Sequence, residues 1–163
     1  MKKGMVELLK ERNVTLEDIV DCVVFLEEGY SREMPDKILI LKNVTDILNK
    51  REVQNAVRTG IALDKFAESG QMEDKELEAI LMRDESLYGV DEVLAYGICN
   101  LYGSIALTNF GFIDRVKPGI IGELNNENDG VCNTYLDDII GAIAASAASK
   151  NAHNKLEKKK WKK

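Results

Sequence analysis

The chain has 163 residues and 18.2 kDa, the size of one ordinary domain able to bury a single core. Its 45% hydrophobic and 31% charged residues, with two prolines, exclude a disordered chain. The net charge is −6, and residues 1–149 alone carry 15 basic against 27 acidic side chains, a balance of −12 that argues against nucleic acid, whose phosphates need a basic footprint.

The pattern predicts helices throughout and no repeats or linkers. Met1-Lys2-Lys3-Gly4-Met5-Val6-Glu7 turns acidic too early for a signal peptide, and a short opening helix is expected over 3–12. Thr15-Leu16-Glu17-Asp18 has the form of a capping box ahead of Ile19, Val20, Val23, Val24 and Leu26. Pro35-Asp36 suits the first turn of a third helix running to about Asn49, although Ile38-Leu39-Ile40-Leu41 also fits a strand. Over 51–68, Val53, Ala56, Val57, Ile61 and Phe66 form a stripe, and Gly70 is placed to end it. Lys50, Arg51 and Arg58 make a basic island there, read as an exposed helical face or as part of a phosphate-binding mouth. Glu73–Arg83 reads as a charged surface helix with Leu77, Ile80 and Leu81 inward.

Residues 93–113 are apolar on nearly every face, which places a helix either at the centre of a bundle or in a membrane. Asn100, Ser104, Thr108, Asn109 and three glycines dilute the run and favour the bundle. The expected fold is therefore all-α, a bundle of about six to seven helices around a central helix at about 92–113. One domain is expected over 1–154. Residues 136–149 are small and apolar, with Gly141, Ala145 and Ser149 four apart. The basic tail, 155–163, closes the chain with Lys155, Lys158, Lys159, Lys160, Trp161, Lys162 and Lys163.

The absences narrow the chemistry. Cys22, Cys99 and Cys132 have neither metal-ligand spacing nor an even count, and read as small buried hydrophobes in a reducing compartment. The single histidine, His153, stands beside the basic tail, and no phosphate-binding glycine loop or nucleophile elbow is present. An enzyme built on this chain works with carboxylates, lysine and arginine.

Acids stand where apolar helices begin and end. Asp91-Glu92 opens the apolar run, Asp114 closes it within Phe110-Gly-Phe-Ile-Asp114-Arg115-Val-Lys117-Pro118, and Asp137-Asp138 begins the small-residue helix. Neighbours on a helix differ by about 100°, so at least one acid of each pair faces other helices. A buried carboxylate needs a partner or a cation, and three or four oxygen ligands suit Mg²⁺. Structural readings exist for the same residues. Asp137 can reach back from Thr134 in a capping box, Asp91 and Glu92 suit a helix N-terminus, and Asp114 and Lys117 can form an i,i+3 pair. Asp138 has no such role.

Asp91-Glu92-Val93, Phe110-x-x-x-Asp114-x-x-Lys117-Pro118, a loop containing Gly130, and Asp137-Asp138-Ile139-Ile140-Gly141 follow one another in the order found in the phosphatidylglycerophosphatase A family. Over about 88–150 the chain resembles the soluble branch of that family. The glycine- and serine-bearing motif near the start of membrane-bound members is not found, and residues 1–87 do not align.

The resemblance implies Mg²⁺-dependent hydrolysis of phosphatidylglycerophosphate or a related phosphate ester in phospholipid metabolism. It implies Glu92, Asp114, Asp137 and Asp138 as holders of one or two Mg²⁺ ions, which would polarise the phosphoryl group and lower the pKa of the attacking water. Lys117 and Arg115 would bind phosphate oxygens, and Asp91 would serve as base or support a ligand. A water-soluble phosphate ester is the alternative substrate. The alternative class is an inactive relative, a helical scaffold with 141–149 as a subunit face. A homo-oligomer and a cytoplasmic location are expected. The tail reads either as a solvated helix end or as a peripheral contact with anionic membrane, with Trp161 at the headgroups.

Overall fold

The computed structural model describes residues 4–126 and 129–161, and among these the protein is built of nine helices and no strand. Helix α1 (Met5–Lys10) is short. Helix α2 (Leu16–Glu28) starts at the expected capping box: Asp18 N–H donates to the Thr15 hydroxyl, and the Asp18 carboxylate accepts from Thr15 N–H at 2.7 Å. Helix α3 (Lys37–Asn49) is capped by Asp36, which accepts from the amides of Ile38 and Leu39, so the Ile38–Leu41 run is helical and Pro35 precedes the cap. Lys50 alone separates it from α4 (Arg51–Glu68). Helix α5 (Lys75–Met82) follows, capped by Asp74.

The all-α bundle is as expected, but its centre is not. The apolar run expected as one central helix is two, α6 (Val90–Cys99) and α7 (Ser104–Val116), joined through Gly103 at φ +90°. A side chain at that φ is strained, so the glycine permits the break. Each half buries one stripe (Ala95, Ile98 and Cys99; Ala106, Phe110 and Ile113) and leaves Val93, Leu107 and Phe112 exposed. Helix α8 (Ile120–Asn126) is short, and α9 (Leu136–Lys160) takes the central place.

Helix α9 packs against α2, α3, α4, α6, α7 and α8. Every residue from Leu136 to Ser149 is buried, and this explains the small side chains. Alanine, serine and glycine keep the central helix thin, so surrounding helices approach from several sides. The spacing of Gly141, Ala145 and Ser149 thus serves packing within the chain, and the subunit face expected at 141–149 is covered by the protein's own helices.

The closest approach is at Gly60 on α4, where an added Cβ would collide with Ile139 Cδ1 and lie 3.1 Å from Tyr135 Cβ. Gly60→Ala is expected to lower stability by about 1–3 kcal/mol, the usual cost of overfilling a packed core. Denaturant unfolding checks this, with Gly97→Ala on the open face of α6 as the control, expected to gain about 0.5–1 kcal/mol.

The last turns of α9 run beyond the bundle, with Leu156 and Trp161 exposed; Lys162 and Lys163 lie outside the described residues. No helix among the described residues is long and apolar enough to cross a membrane. The three cysteines are free and buried, and burial pushes the Cys22 thiol up to about 11 and those of Cys99 and Cys132 to about 12.

Candidate active site

Four chain segments bring acids to one end of α9. Asp91 and Glu92 lie in the first turn of α6, Asp114 in the last turn of α7, and Asp137 and Asp138 in the first turn of α9. Together with Asp84 and Tyr88, from the loop between α5 and α6, they line a polar cavity of about 470 Å³. Lys117 reaches it from the end of α7, where the residue takes left-handed backbone at φ +50°.

Both acids of the last pair are inside: Asp137 is 2% exposed and Asp138 5%. Asp91 is buried, while Glu92 sits exposed at the cavity edge. Arg115 is not brought to the cavity. It follows Asp114 by one position, and the 100° step that points Asp114 inward leaves Arg115 exposed on the outer face of α7. Lys50, Arg51 and Arg58 do not line the cavity either.

The Lys117 ammonium donates to Asp114 Oδ1 at 2.9 Å and to Asp137 Oδ2 at 3.0 Å. Asp137 therefore is not the reaching-back acid of a capping box. Its supposed partner, Thr134, gives its hydroxyl proton to the carbonyl of Leu81 at 2.6 Å. Asp137 Oδ1 accepts from the Asp138 amide, and Asp91 Oδ1 from the Glu92 amide.

The electrostatics are those of an anion excess. Burial raises the pKa of Asp138, and the charges of Asp137, Asp114 and Asp91 raise it further. Burial also raises Asp137 and Asp91, against Lys117 in the first case and the Glu92 amide in the second. Glu92 shifts the same way through burial and the charges of Asp91 and Asp114. Burial works against the charge of Lys117, but Asp137 and Asp114 outweigh it and hold the ammonium firmly protonated. One lysine cannot neutralise this set.

The donors suit a hard divalent cation, being carboxylate oxygens alone. As arranged, no group of three acid, histidine or cysteine side chains among the described residues is set to ligate one ion together, and Lys117 bridges Asp114 and Asp137.

The start of α9 is fixed by residues the sequence did not single out. Asp64 on α4 is fully buried and accepts from the amides of Tyr135 (3.0 Å) and Leu136 (3.1 Å), capping α9 from another helix. Burial still pushes its carboxyl up to about 7, against those bonds. One turn on, Glu68 accepts from the Cys132 amide and pairs with Arg12, whose guanidinium also donates to Cys132 O and Asn133 Oδ1. The available signal was an acid on the apolar stripe of α4, three residues after Ile61 and seven after Val57. Asp84 and Tyr88 carried none, since both lie in a loop without a motif.

Acids, Lys117 and Arg83 thus line one polar cavity of an all-helical protein, with the lone histidine exposed about 22 Å along α9 from Asp138. The chain belongs to the phosphatidylglycerophosphatase A family, whose profile matches residues 20–153, well beyond the 88–150 of the motifs. Uncharacterized protein YutG of Bacillus subtilis is 51% identical over 145 residues, 89% of this chain and 86% of that protein. The crystal structure of low temperature requirement C protein from Listeria monocytogenes matches with a TM-score of 0.85 at 51% identity, covering 91% of this chain and 92% of that one. Protein ypjQ from Bacillus subtilis matches with a TM-score of 0.87 at 43% identity, over 93% and 92% of the two chains. Family membership suggests a phosphatase.

Proposed function

We propose that the protein is a Mg²⁺-dependent phosphomonoester hydrolase whose substrate is phosphatidylglycerophosphate or a closely related lipid phosphate. The observation that carries this reading is the convergence of the family's acids and lysine on one polar cavity. Glu92, Asp114, Asp137 and Asp138 would hold Mg²⁺, which when bound neutralises phosphoryl oxygens and acidifies the attacking water. Lys117 donates to the phosphate oxygens and offsets charge developing in the transition state. Asp91, buried and held above the usual carboxylate range, accepts the proton of the attacking water. Arg115 has no part in this scheme.

A second feature favours a lipid over a water-soluble ester. An apolar groove of about 500 Å³ runs between α4 and α6, lined by Ala56, Leu63, Val90, Val93 and Leu94. Tyr135 lines the groove and Tyr88 the cavity, and their hydroxyls are 2.5 Å apart. Phosphate and hydrocarbon of one molecule would thus find neighbouring sites. The basic tail is far from both: Lys158 lies about 30 Å from Asp138 along α9. A bilayer touched by tail and site together would lie alongside that helix.

The test is phosphate release from phosphatidylglycerophosphate in detergent micelles and from its free glycerol phosphate headgroup, with Mg²⁺ and with a chelator. Release from the lipid at a kcat/KM at least about tenfold above the headgroup, abolished by chelation, is expected. Equal rates would move the assignment to a water-soluble ester. No Mg²⁺-dependent release from either would leave the scaffold reading.

A further inference from the structure

We infer that Lys117 is an internal stand-in for the divalent cation: its ammonium holds Asp114 and Asp137 until the ion takes them, and is then released toward the phosphate. This rests on the cation reading of the cavity. The lysine grips acids from two different helices, one at the end of α7 and one at the start of α9. Arg83, the other cationic side chain lining the cavity, is engaged by Glu85.

An ion bound to either carboxylate sits at about 2.1 Å from its oxygen. The ammonium is 2.9 Å from Asp114 Oδ1 and 3.0 Å from Asp137 Oδ2, so an ion taking those two oxygens would stand beside a like charge and repel it. The lysine has somewhere to go, being 27% exposed at the cavity wall on a flexible four-carbon stem. The Lys117 carbonyl oxygen is packed on Gly122 of α8, where an added Cβ would lie 2.5 Å from it, and the exchange is assigned to the side chain. Ion and phosphate then bind in a set order, because the lysine that holds the phosphate is occupied until the ion arrives.

Amine acylation of the full-length protein, read at each lysine by peptide mass spectrometry, tests this without turnover. Mg²⁺ is expected to raise acylation of Lys117 several-fold and leave exposed Lys37 unchanged. In parallel, Lys117→Gln is expected to bind Mg²⁺ about tenfold more tightly by calorimetry, since no ammonium competes. Unchanged acylation of Lys117 in protein that calorimetry shows to bind Mg²⁺ would overturn the inference and leave the proposed function standing. Weaker or equal Mg²⁺ binding by a folded Lys117→Gln protein would do the same. No Mg²⁺ binding by the unaltered protein would overturn the cation reading and the inference together.

Discussion

Replacing Asp138 with Asn is expected to lower Mg²⁺-dependent phosphate release at least about 100-fold and to raise the melting temperature of the ion-free protein by about 2–4 °C. The first effect follows from removing a charged oxygen ligand, a loss at least as large as that of groups which merely support ligands. The second follows from electrostatics. Asp138 is buried among Asp137, Asp114 and Asp91, and its pKa is raised first by that burial. Removing the charge relieves about 1 kcal/mol or more, which in a domain of this size corresponds to the stated shift.

The pH dependence has a definite sign. Asp138, Asp137 and Asp91 all have folded-state values above their unfolded ones. A group of this kind contributes its full stability below its unfolded value, near pH 4, and loses it as pH rises through the folded one. The ion-free protein therefore weakens as pH is raised, and Asp138→Asn flattens the curve. Melting curves from pH 4 to 9 in chelator, with phosphate release assayed on the same preparations, check both. A folded Asp138→Asn protein that keeps full Mg²⁺-dependent activity would remove the assignment.

The second large effect is expected at Asp64. Asp64→Ala leaves the amides of Tyr135 and Leu136 without acceptors inside the bundle, at about 3 kcal/mol, or roughly 6–12 °C in melting temperature. Asp64→Asn keeps one acceptor oxygen and should lose less. Because Asp137 and Asp138 follow directly on the capped residues, activity of the alanine protein should fall even at temperatures where it remains folded. Circular dichroism and phosphate release measured together separate the two losses.

These residues also mark what the sequence could express. The acids at 91–92, 114 and 137–138 were legible because they stand at the ends of segments apolar on nearly every face, where neighbouring helices are expected, and the structure places Asp91, Asp114, Asp137 and Asp138 around one cavity. The Thr15–Asp18 cap was legible because its spacing is local. The centre of the bundle was not. A run apolar on all faces from 93 to 113 has no periodicity to reveal a break, and the turn depends on the backbone at Gly103. Helix α9 was half-read for the opposite reason: its small residues carry little hydrophobic signal, although they occupy the best-buried positions. Asp64 stands out only as an acid on the apolar stripe of α4, and what it caps was not legible, because its partners lie 71 and 72 residues away.

The position of α9 in the chain has a consequence for how the protein is made. Helices α2, α3, α4, α6, α7 and α8 share it as a common packing partner, and it follows all of them in sequence. During synthesis they leave the ribosome with their apolar stripes uncovered, and the contacts that close the core are long-range ones. Native packing is thus completed only after α9 emerges. A nascent chain halted before Leu136 should be the form that needs a chaperone and that a protease cuts first.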